Sequence, residues 1–204
     1  AGGESRGSEV VTVTPDGGPR NVLIVTGFDR QQRTQNVRYP YAYTGDGLVD
    51  RPWERSNNSY DYVVQYASAI NAVTPDVTFD TASNEAVISG AVNLNSYNSV
   101  IWILGEESTS TDTLNATEQS KVSSFLAAGG NLFVSGSEIG WDLDAQGGGA
   151  SFYNNVLRAD YVADDANSYT ATATPGSIFA ALPAITFDNG AGFNSYNVNA
   201  PDRI

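Results

Sequence analysis

Three short runs of apolar, mostly β-branched residues each end next to a glycine: NVLIVTG from Asn21, VIWILG from Val100 and NLFVSG from Asn131. Each run is apolar at successive positions, which is typical of a strand that is buried on both faces. DVTFD, from Asp76 to Asp80, is a further strand candidate. Because helix-length segments separate the runs, the sequence predicts a three-layer α/β fold, with a mostly parallel sheet between helices.

Helix signals lie between these runs. Apolar residues spaced i, i+4 and i+7 predict a helix that begins near Ser59 and ends before Pro75. Asn115 and Glu118 have the spacing of a capping box, and they precede an apolar stripe that ends at two glycines. Residues 152–157 are a third helix candidate, and the chain beyond them is expected to be irregular or β.

The composition favours one domain and narrows its partners. The 204 residues, 41% of them hydrophobic, suffice for one packed core. Residues 1–20, punctuated by Gly, Ser and Pro, are predicted to be a linker or extension before a single α/β domain over residues 21–204. The formal charge of −13 argues against a nucleic-acid or anionic-membrane partner, because both need a basic face. No apolar stretch approaches the roughly 18 residues of a membrane span.

Residue usage also bears on localisation. Asn, Ser, Thr and Tyr are abundant and Lys121 is the only lysine, a balance common in secreted bacterial proteins. The expected location is therefore outside the cell or at its surface. With no Cys, the chain has neither disulfides nor a thiol nucleophile.

The last glycine-terminated run leads into an unusual turn. Its sequence continues as Gly136-Ser137-Glu138-Ile139-Gly140. A strand followed by Gly-x-nucleophile-x-Gly is how α/β hydrolases present a reactive side chain on a sharp turn. Since Glu occupies the middle position here, the sequence predicts a carboxylate displayed at a tight strand-to-helix turn.

Polar side chains collect after the predicted strands. In open α/β sheets, ligands bind beyond the carboxyl ends of the strands. The segments GFDR, GEES and GSE follow the three glycine-terminated runs and are expected to meet at one end of the sheet. The residues so gathered are Asp29, Arg30, Glu106, Glu107, Ser108, Ser137 and Glu138.

Several long motifs resemble a known kind of domain. FDTASNEAVISGAVNLNSYNSVIWILGEEST, FLAAGGNLFVSGSEIGWDLD and FYNNVLRADYVADDA are similar to a domain of large secreted bacterial proteins labelled xanthan lyase or N-acetylmuramoyl-L-alanine amidase. The resemblance runs from about Asn21 to the C-terminus and implies a flavodoxin-like sheet, as in class I glutamine amidotransferases. It also implies a module that acts on extracellular polysaccharide or peptidoglycan. Thiol-dependent amidotransfer is excluded, because Glu138 replaces the Cys and the chain has no His.

Glu107 and Glu138 are the predicted catalytic pair. Two carboxylates hydrolyse a glycosidic bond when they flank it at about 5–5.5 Å or 6.5–9.5 Å, and one of them needs a raised pKa. The competing interpretation is that these glutamates cap helices or join a buried network. That alternative describes a non-catalytic structural, glycan-binding or protein-binding domain, so the sequence leaves open whether this is an enzyme. The residues predicted to bind ligand are Asp29, Arg30, Glu106, Ser108 and Ser137.

Other groups offer further alternatives. A serine nucleophile at Ser108 or Ser137 needs a base, and Lys121 lies in a predicted helix away from the strand ends. Residues 142–144 and 159–167 supply oxygen ligands of the kind Ca²⁺ accepts, without EF-hand spacing. No cofactor is predicted, and Ca²⁺ remains an alternative.

The segment from Gln31 to Asn58 is long for a connection between a strand and a helix, and such loops are often functional. Its aromatic residues are expected either to stack on sugar rings or to form a small core of their own. Arg30 and Arg33 either clamp a substrate carboxylate or neutralise nearby acids. The aromatic residues are Tyr39, Tyr41, Tyr43 and Trp53.

The C-terminal end raises a question about the sheet. Domains that this chain resembles continue into another apolar strand after FNSYNVNAPDRI. The resemblance therefore predicts either a fragment of a longer protein or a second chain that completes the sheet. The alternative is that residues 169–187 already complete it.

Overall fold

The computed structural model describes residues 11–13, 21–30, 58–74, 76–187, 189 and 200–204, and the backbone of 38–43 and 47–52. In chain order the strands of this part are Val22–Thr26 (β1), Arg38–Tyr43 (β2), Gly47–Pro52 (β3), Phe79–Ser83 (β4), Ser99–Gly105 (β5), Asn131–Gly136 (β6), Thr170–Ala171 (β7) and Ile185–Thr186 (β8). The helices are Tyr62–Val73 (α1), Asn84–Ile88 (α2), Ala116–Ala127 (α3) and Ala150–Asn155 (α4), with a 3₁₀ turn at Leu94–Ser96 and a π-helical turn at Trp141–Ala145.

Four of the strands form an all-parallel sheet in the order β4-β1-β5-β6. The chain passes from β1 outward to β4, crosses back to β5 on the other side of β1, and continues to β6. This is the strand order of flavodoxin-like folds, so the predicted α/β fold class is confirmed. The strand predicted at Asp76–Asp80 is shifted, since β4 begins at Phe79.

Alternating side chains of the strands form a core on each face of the sheet. On one face, Ile24 and Ile103 pack with Val63 of α1. On the other, Leu23 and Trp102 belong to a larger cluster that includes residues of α2, α3 and α4. Because β1 and β5 are covered on both faces, their polar residues are confined to the ends of the strands.

Helix α3 begins and ends where the sequence signals place it. The side chain of Asn115 accepts hydrogen bonds from the N–H groups of Thr117 and Glu118, and the Glu118 carboxylate accepts one from Asn115 N–H at 2.7 Å. Gly129, with φ of +91°, follows the helix in the left-handed conformation that favours glycine. This capping box sets the register in which Val122 and Phe125 reach the core.

The two edges of the sheet differ. Thr12, in the predicted linker, exchanges hydrogen bonds with Thr81 of β4, including Thr81 N–H to Thr12 O at 2.9 Å. No strand of the described residues pairs with the outer side of β6. Strands β7 and β8 form a separate antiparallel ladder, so the alternative in which residues 169–187 complete the main sheet is wrong.

Candidate functional site

The structure brings the predicted strand-end residues together at one end of the sheet. Arg30, after β1, donates from Nη1 to the carbonyl oxygen of Glu106, after β5, at 3.1 Å. Ser137, after β6, donates its N–H to the carbonyl oxygen of Gly105 at 2.7 Å. The parallel strands β1, β5 and β6 therefore deliver GFDR, GEES and GSE to one rim.

Glu107 lies inside this rim rather than facing solvent. Its side chain is only 1% exposed. Its carboxylate accepts hydrogen bonds from the N–H groups of Asp29 and Arg30, at 3.2 and 2.7 Å, and from the hydroxyl of Thr111 at 3.0 Å. Burial raises the pKa of Glu107, and these hydrogen bonds offset part of the rise. Glu107 thus joins the loop after β1 to the loop after β5, at the point where the strand order reverses.

Glu138 has the opposite environment. It is half-buried, lines a groove, and has a φ of +61°, a left-handed conformation that is costly for a residue with a Cβ. Burial raises the pKa of Glu138, and the charges of Asp202 and Asp164 raise it further, while Arg30 opposes them. The prediction of a carboxylate at a tight strand-to-helix turn agrees with this geometry.

The two glycines that flank this turn are needed for close packing. A Cβ on Gly136 would lie 2.5 Å from Cβ of Leu104, a separation that real side chains do not adopt. A Cβ on Gly140 would lie 2.8 Å from the hydroxyl of Tyr153 and 2.9 Å from the Tyr161 ring. The Gly-x-Glu-x-Gly frame is therefore a steric requirement of the turn.

A groove of about 890 Å³ runs from Glu138 along the outer side of β6. One end carries the carboxylates of Glu106, Glu138, Asp164 and Asp202. The rest has largely apolar walls. The residues of these walls include Leu132, Val134, Val156, Leu157, Pro201 and Ile204. The groove can therefore accept a ligand that combines apolar surface with hydroxyl or cationic groups.

Sequence reasoning missed Asp202, and it considered Asp164 only within the 159–167 segment, as an alternative Ca²⁺ ligand. Val162 N–H donates to Arg203 O at 2.9 Å and Ala166 N–H donates to Pro201 O at 3.0 Å, so the 162–166 segment and the last residues run side by side. This pairing brings Asp164 and Asp202 close to Glu138. Burial raises the pKa of Asp202, and the charge of Asp164 adds to the rise. Residues so far apart in the chain carried no shared sequence signal.

An aromatic pair beside the carboxylates was also missed. The rings of Trp141 and Tyr161 meet edge to face with centroids 6.0 Å apart, and both side chains are half-buried. Tyr161 packs against Gly140 of the turn, which places the pair next to Glu138. The position of Trp141 near the site could have been predicted, because it directly follows the Gly-x-Glu-x-Gly frame. The position of Tyr161 could not.

The remaining predicted binding residues have mixed roles. Asp29 contributes its backbone N–H to Glu107, while partial desolvation of its carboxyl group and the charge of Glu85 raise the pKa of that group. Ser137 donates its hydroxyl to the carbonyl oxygen of Glu107 at 3.1 Å. Ser108 is half-buried, and its carbonyl oxygen accepts from Thr111 N–H. Their predicted ligand-binding roles stay predictions.

Arg30 and Glu106 lie between Glu107 and Glu138. The Nε atom of Arg30 is buried with no hydrogen-bond partner in the part of the chain that the structure describes. Burial raises the pKa of Glu106, and the charge of Arg30 lowers it. Arg30 therefore moderates the negative charge of the rim, in line with the neutralising role considered for it. The segment with Arg33, Tyr39, Tyr41, Tyr43 and Trp53 has no described side chains.

The 142–144 loop considered for Ca²⁺ uses its carboxylates internally, whereas Asp164 of the 159–167 loop lines the groove. Asp142 is buried and accepts from the N–H and hydroxyl of Thr113, at 2.8 and 2.7 Å. Asp144 accepts from Asn154 and from Tyr161 N–H, each at 3.1 Å. Within the described residues, no three His, Cys, Asp or Glu side chains are arranged to hold a metal ion.

Comparison with known proteins adds no relatives: no family model, curated protein or solved structure matches this chain. Among the helices that the structure describes, none combines the length and apolarity needed to cross a membrane.

Proposed function

We propose that the groove binds a glycan chain of an extracellular polysaccharide or of peptidoglycan, and that this domain is a binding module of a secreted bacterial protein. The observation that carries the proposal is Glu138, held with positive φ on a turn that both flanking glycines make possible. Such a conformation costs about 1–2 kcal/mol, and it persists where the surroundings enforce a particular side-chain position. Here that position is the mouth of a groove.

The chemistry of the groove suits a hydroxyl-rich ligand. Carboxylates accept hydrogen bonds from hydroxyl groups, and Glu138, Glu106 and Asp202 offer several acceptors at one end. Trp141 and Tyr161, which do not line the groove itself, provide aromatic surface next to Glu138. An apolar wall with a few convergent polar groups is the usual composition of a small-molecule or glycan site. The resemblance to domains of polysaccharide-processing proteins supports the same ligand class.

A second candidate function is hydrolysis or elimination at a glycosidic bond by carboxylates. One observation favours it: Glu138 has a raised pKa, and Asp202 is the charge that raises it most after burial. A carboxyl group whose pKa is raised, beside a second carboxylate, is one element of the acid and base or nucleophile pair that such a reaction needs. In this version the pair is Glu138 and Asp202, because the carboxylate of Glu107 is buried and already occupied.

Binding is tested by sedimenting the purified protein with insoluble peptidoglycan and by affinity electrophoresis in gels that contain xanthan. We expect Glu138→Gln to weaken binding by about tenfold or more, because it removes the central acceptor charge. Asp76→Asn is the matched control: Asp76 is exposed, precedes β4 and therefore lies at the opposite end of the sheet. Equal binding by wild type, Glu138→Gln and Asp76→Asn would contradict the proposal.

The enzymatic alternative is tested on the same two polymers. Hydrolysis releases reducing ends from either polymer, and elimination at a uronic acid of xanthan also creates an unsaturated product that absorbs in the ultraviolet. Glu138→Gln and Asp202→Asn should each abolish product formation if these carboxylates act as the pair. Binding without product in the wild-type protein would leave the binding module as the function.

A further inference from the structure

We propose that the outer edge of β6 and the apolar part of the groove accept an extended polypeptide segment of a partner protein, which adds as a fifth strand. The partner segment carries apolar side chains at alternate positions and Lys or Arg at the end that reaches Glu138. This is a second use of the surface, beyond glycan binding at the rim.

The first argument concerns backbone hydrogen bonds. Asn131 N–H donates to Asn98 O at 3.1 Å, on the β5 side of the strand. Since hydrogen-bonding groups of successive residues alternate between the two sides of a strand, the N–H and C=O groups of Leu132 and Val134 point away from β5. No described residue pairs with them. A free strand edge of this kind is a template for pairing with another chain.

The second argument concerns apolar surface. Leu132 and Val134 are half-buried in the groove wall, and Phe133, on the opposite face, is 48% exposed, with its ring centroid 6.3 Å from that of Tyr66. The central strands β1 and β5 have no comparable exposure, since both their faces are covered. Side chains of an added strand would lie beside those of β6 on both faces of the sheet. The alternate side chains of that strand would contact Leu132 and Val134 in the groove.

Charge complementarity identifies the partner's chemistry. The carboxylates of Glu106, Glu138, Asp164 and Asp202 lie at the end of the groove next to the carboxyl end of β6. They favour a cationic side chain there, and the formal charge of −13 on the chain disfavours a second copy of itself. If the partner strand runs parallel to β6, as every other strand of the sheet does, its Lys or Arg lies near its C-terminal end.

The proposal is tested with the acetylated and amidated peptide Thr-Val-Thr-Val-Thr-Arg-Lys. Amide hydrogen exchange of the ¹⁵N-labelled protein is followed by NMR with and without the peptide. We expect exchange at Leu132 and Val134 N–H to slow by about tenfold or more on saturation, because these donors gain strand partners. Phe133 N–H, which points towards β5, is the internal control and should keep its rate.

Two changes check the two halves of the argument. A peptide in which Glu-Glu replaces Arg-Lys should bind about tenfold more weakly or worse. Val134→Pro removes an outward N–H at a position where an edge strand tolerates proline, and it should abolish peptide binding. If Val134→Pro fails to fold, Leu132→Lys serves instead, because it replaces part of the apolar groove wall that the peptide's valines would contact by a charged side chain.

Several outcomes would overturn the proposal. Leu132 and Val134 amides that are already protected without peptide would mean that another part of this chain covers the edge. Protection that grows with protein concentration alone would mean that a second copy does. Unchanged exchange at saturating peptide would exclude strand addition. Since these readouts are the amides of β6, they can fail while glycan binding at Glu138 persists, and the reverse.

Discussion

Glu107 and Glu138 occupy neighbouring strand ends, yet their carboxylates have different surroundings. Glu107 accepts hydrogen bonds from two backbone N–H donors and a hydroxyl, so its oxygens hold the loop after β1 to the loop after β5. Glu138 has no side-chain hydrogen bond to any described residue and is directed to the groove by a left-handed backbone. The same residue type therefore serves stability at one position and, in our proposal, ligand binding at the other.

This difference predicts opposite effects of the same isosteric change. Glu107→Gln replaces one acceptor oxygen by an NH₂ group, and at either oxygen position that group faces the N–H donor of Asp29. We expect a loss of about 1–3 kcal/mol in the free energy of unfolding, the usual cost of an unsatisfied buried polar group. Chemical denaturation with urea measures it. A Glu107→Gln protein as stable as wild type would show that the carboxylate does not hold the two loops together.

Glu138→Gln should have no such cost near neutral pH. It removes a charge that Asp202 and Asp164 repel and breaks no side-chain hydrogen bond to a described residue. We expect an unfolding free energy equal to or above that of wild type, together with the loss of glycan binding proposed above. Urea midpoints of the two variants, compared side by side, separate a binding glutamate from a structural one. A stability loss in Glu138→Gln as large as in Glu107→Gln would contradict the assignment.

At the scale of elements, the turn after β6 depends on the close side-chain contacts that its glycines permit. Gly140 has a φ of −71°, so alanine is compatible with its backbone and only the contacts oppose a side chain. The nearest contact is the Tyr153 hydroxyl at 2.8 Å. We expect Gly140→Ala to cost about 1–3 kcal/mol by overpacking.

A double variant identifies the cause. Gly140→Ala with Tyr153→Phe removes the closest atom and should recover part of that loss, whereas the Tyr161 ring at 2.9 Å should prevent full recovery. Thermal unfolding of the single and double variants gives the coupling between the two positions. Strict additivity would mean that the Tyr153 hydroxyl does not oppose the added methyl group.

Helix α3 offers a separate prediction. Asn115→Ala deletes the acceptor for the N–H groups of Thr117 and Glu118, at 2.9 and 3.1 Å. We expect a loss of about 0.5–2 kcal/mol in unfolding free energy. Asn115→Asp retains the acceptor and should stay close to wild type in urea denaturation. If both variants lost stability equally, the cap hydrogen bonds would not be the cause.

These elements also show what the sequence allowed us to predict. Strands β1, β5 and β6 and the start of α3 follow from local signals: successive apolar residues, a terminal glycine and a capping box. Strand β4 was predicted too early, at Asp76–Asp80, because DVTFD alternates polar and apolar residues. The paired strand instead extends through Thr81, Ala82 and Ser83, which are polar or small. Pairing with β1 rather than local propensity sets that strand.

The candidate site was predictable only where the strand order alone decided it. Glu106, Glu107, Ser137 and Glu138 follow strands directly, so a parallel sheet brings them to one end. Asp164 and Asp202 reach the same rim through pairing of the 162–166 segment with the last residues, a long-range contact without a local pattern. Burial was not predictable either, because the two adjacent glutamates after Gly105 differ only in which way each side chain turns.

At the scale of the whole molecule, several carboxylates lie close enough for their negative charges to repel one another. The pKa values of Glu106, Glu138 and Asp202 are all raised, with burial as the largest cause. Burial likewise raises the pKa of Glu107 and of Glu118 elsewhere in the fold. Ionising these groups is therefore harder in the folded state than in the unfolded chain, which makes stability depend on pH.

The direction of that dependence is fixed by the sign of the shifts. A carboxyl group with a raised pKa holds its proton more tightly when folded, so its contribution is fully present below the ordinary pKa of 4.5 for Glu and is lost as pH rises through the folded-state pKa. We therefore expect the unfolding free energy to decrease from about pH 4.5 towards neutrality, as measured by urea denaturation at a series of pH values. Glu138→Gln should flatten this decrease, gaining on wild type at pH 7 and converging with it in acid. Asp76→Asn, with the same change in net charge at an exposed site, should run parallel to wild type, and a wild-type stability that rises over this range would contradict the prediction.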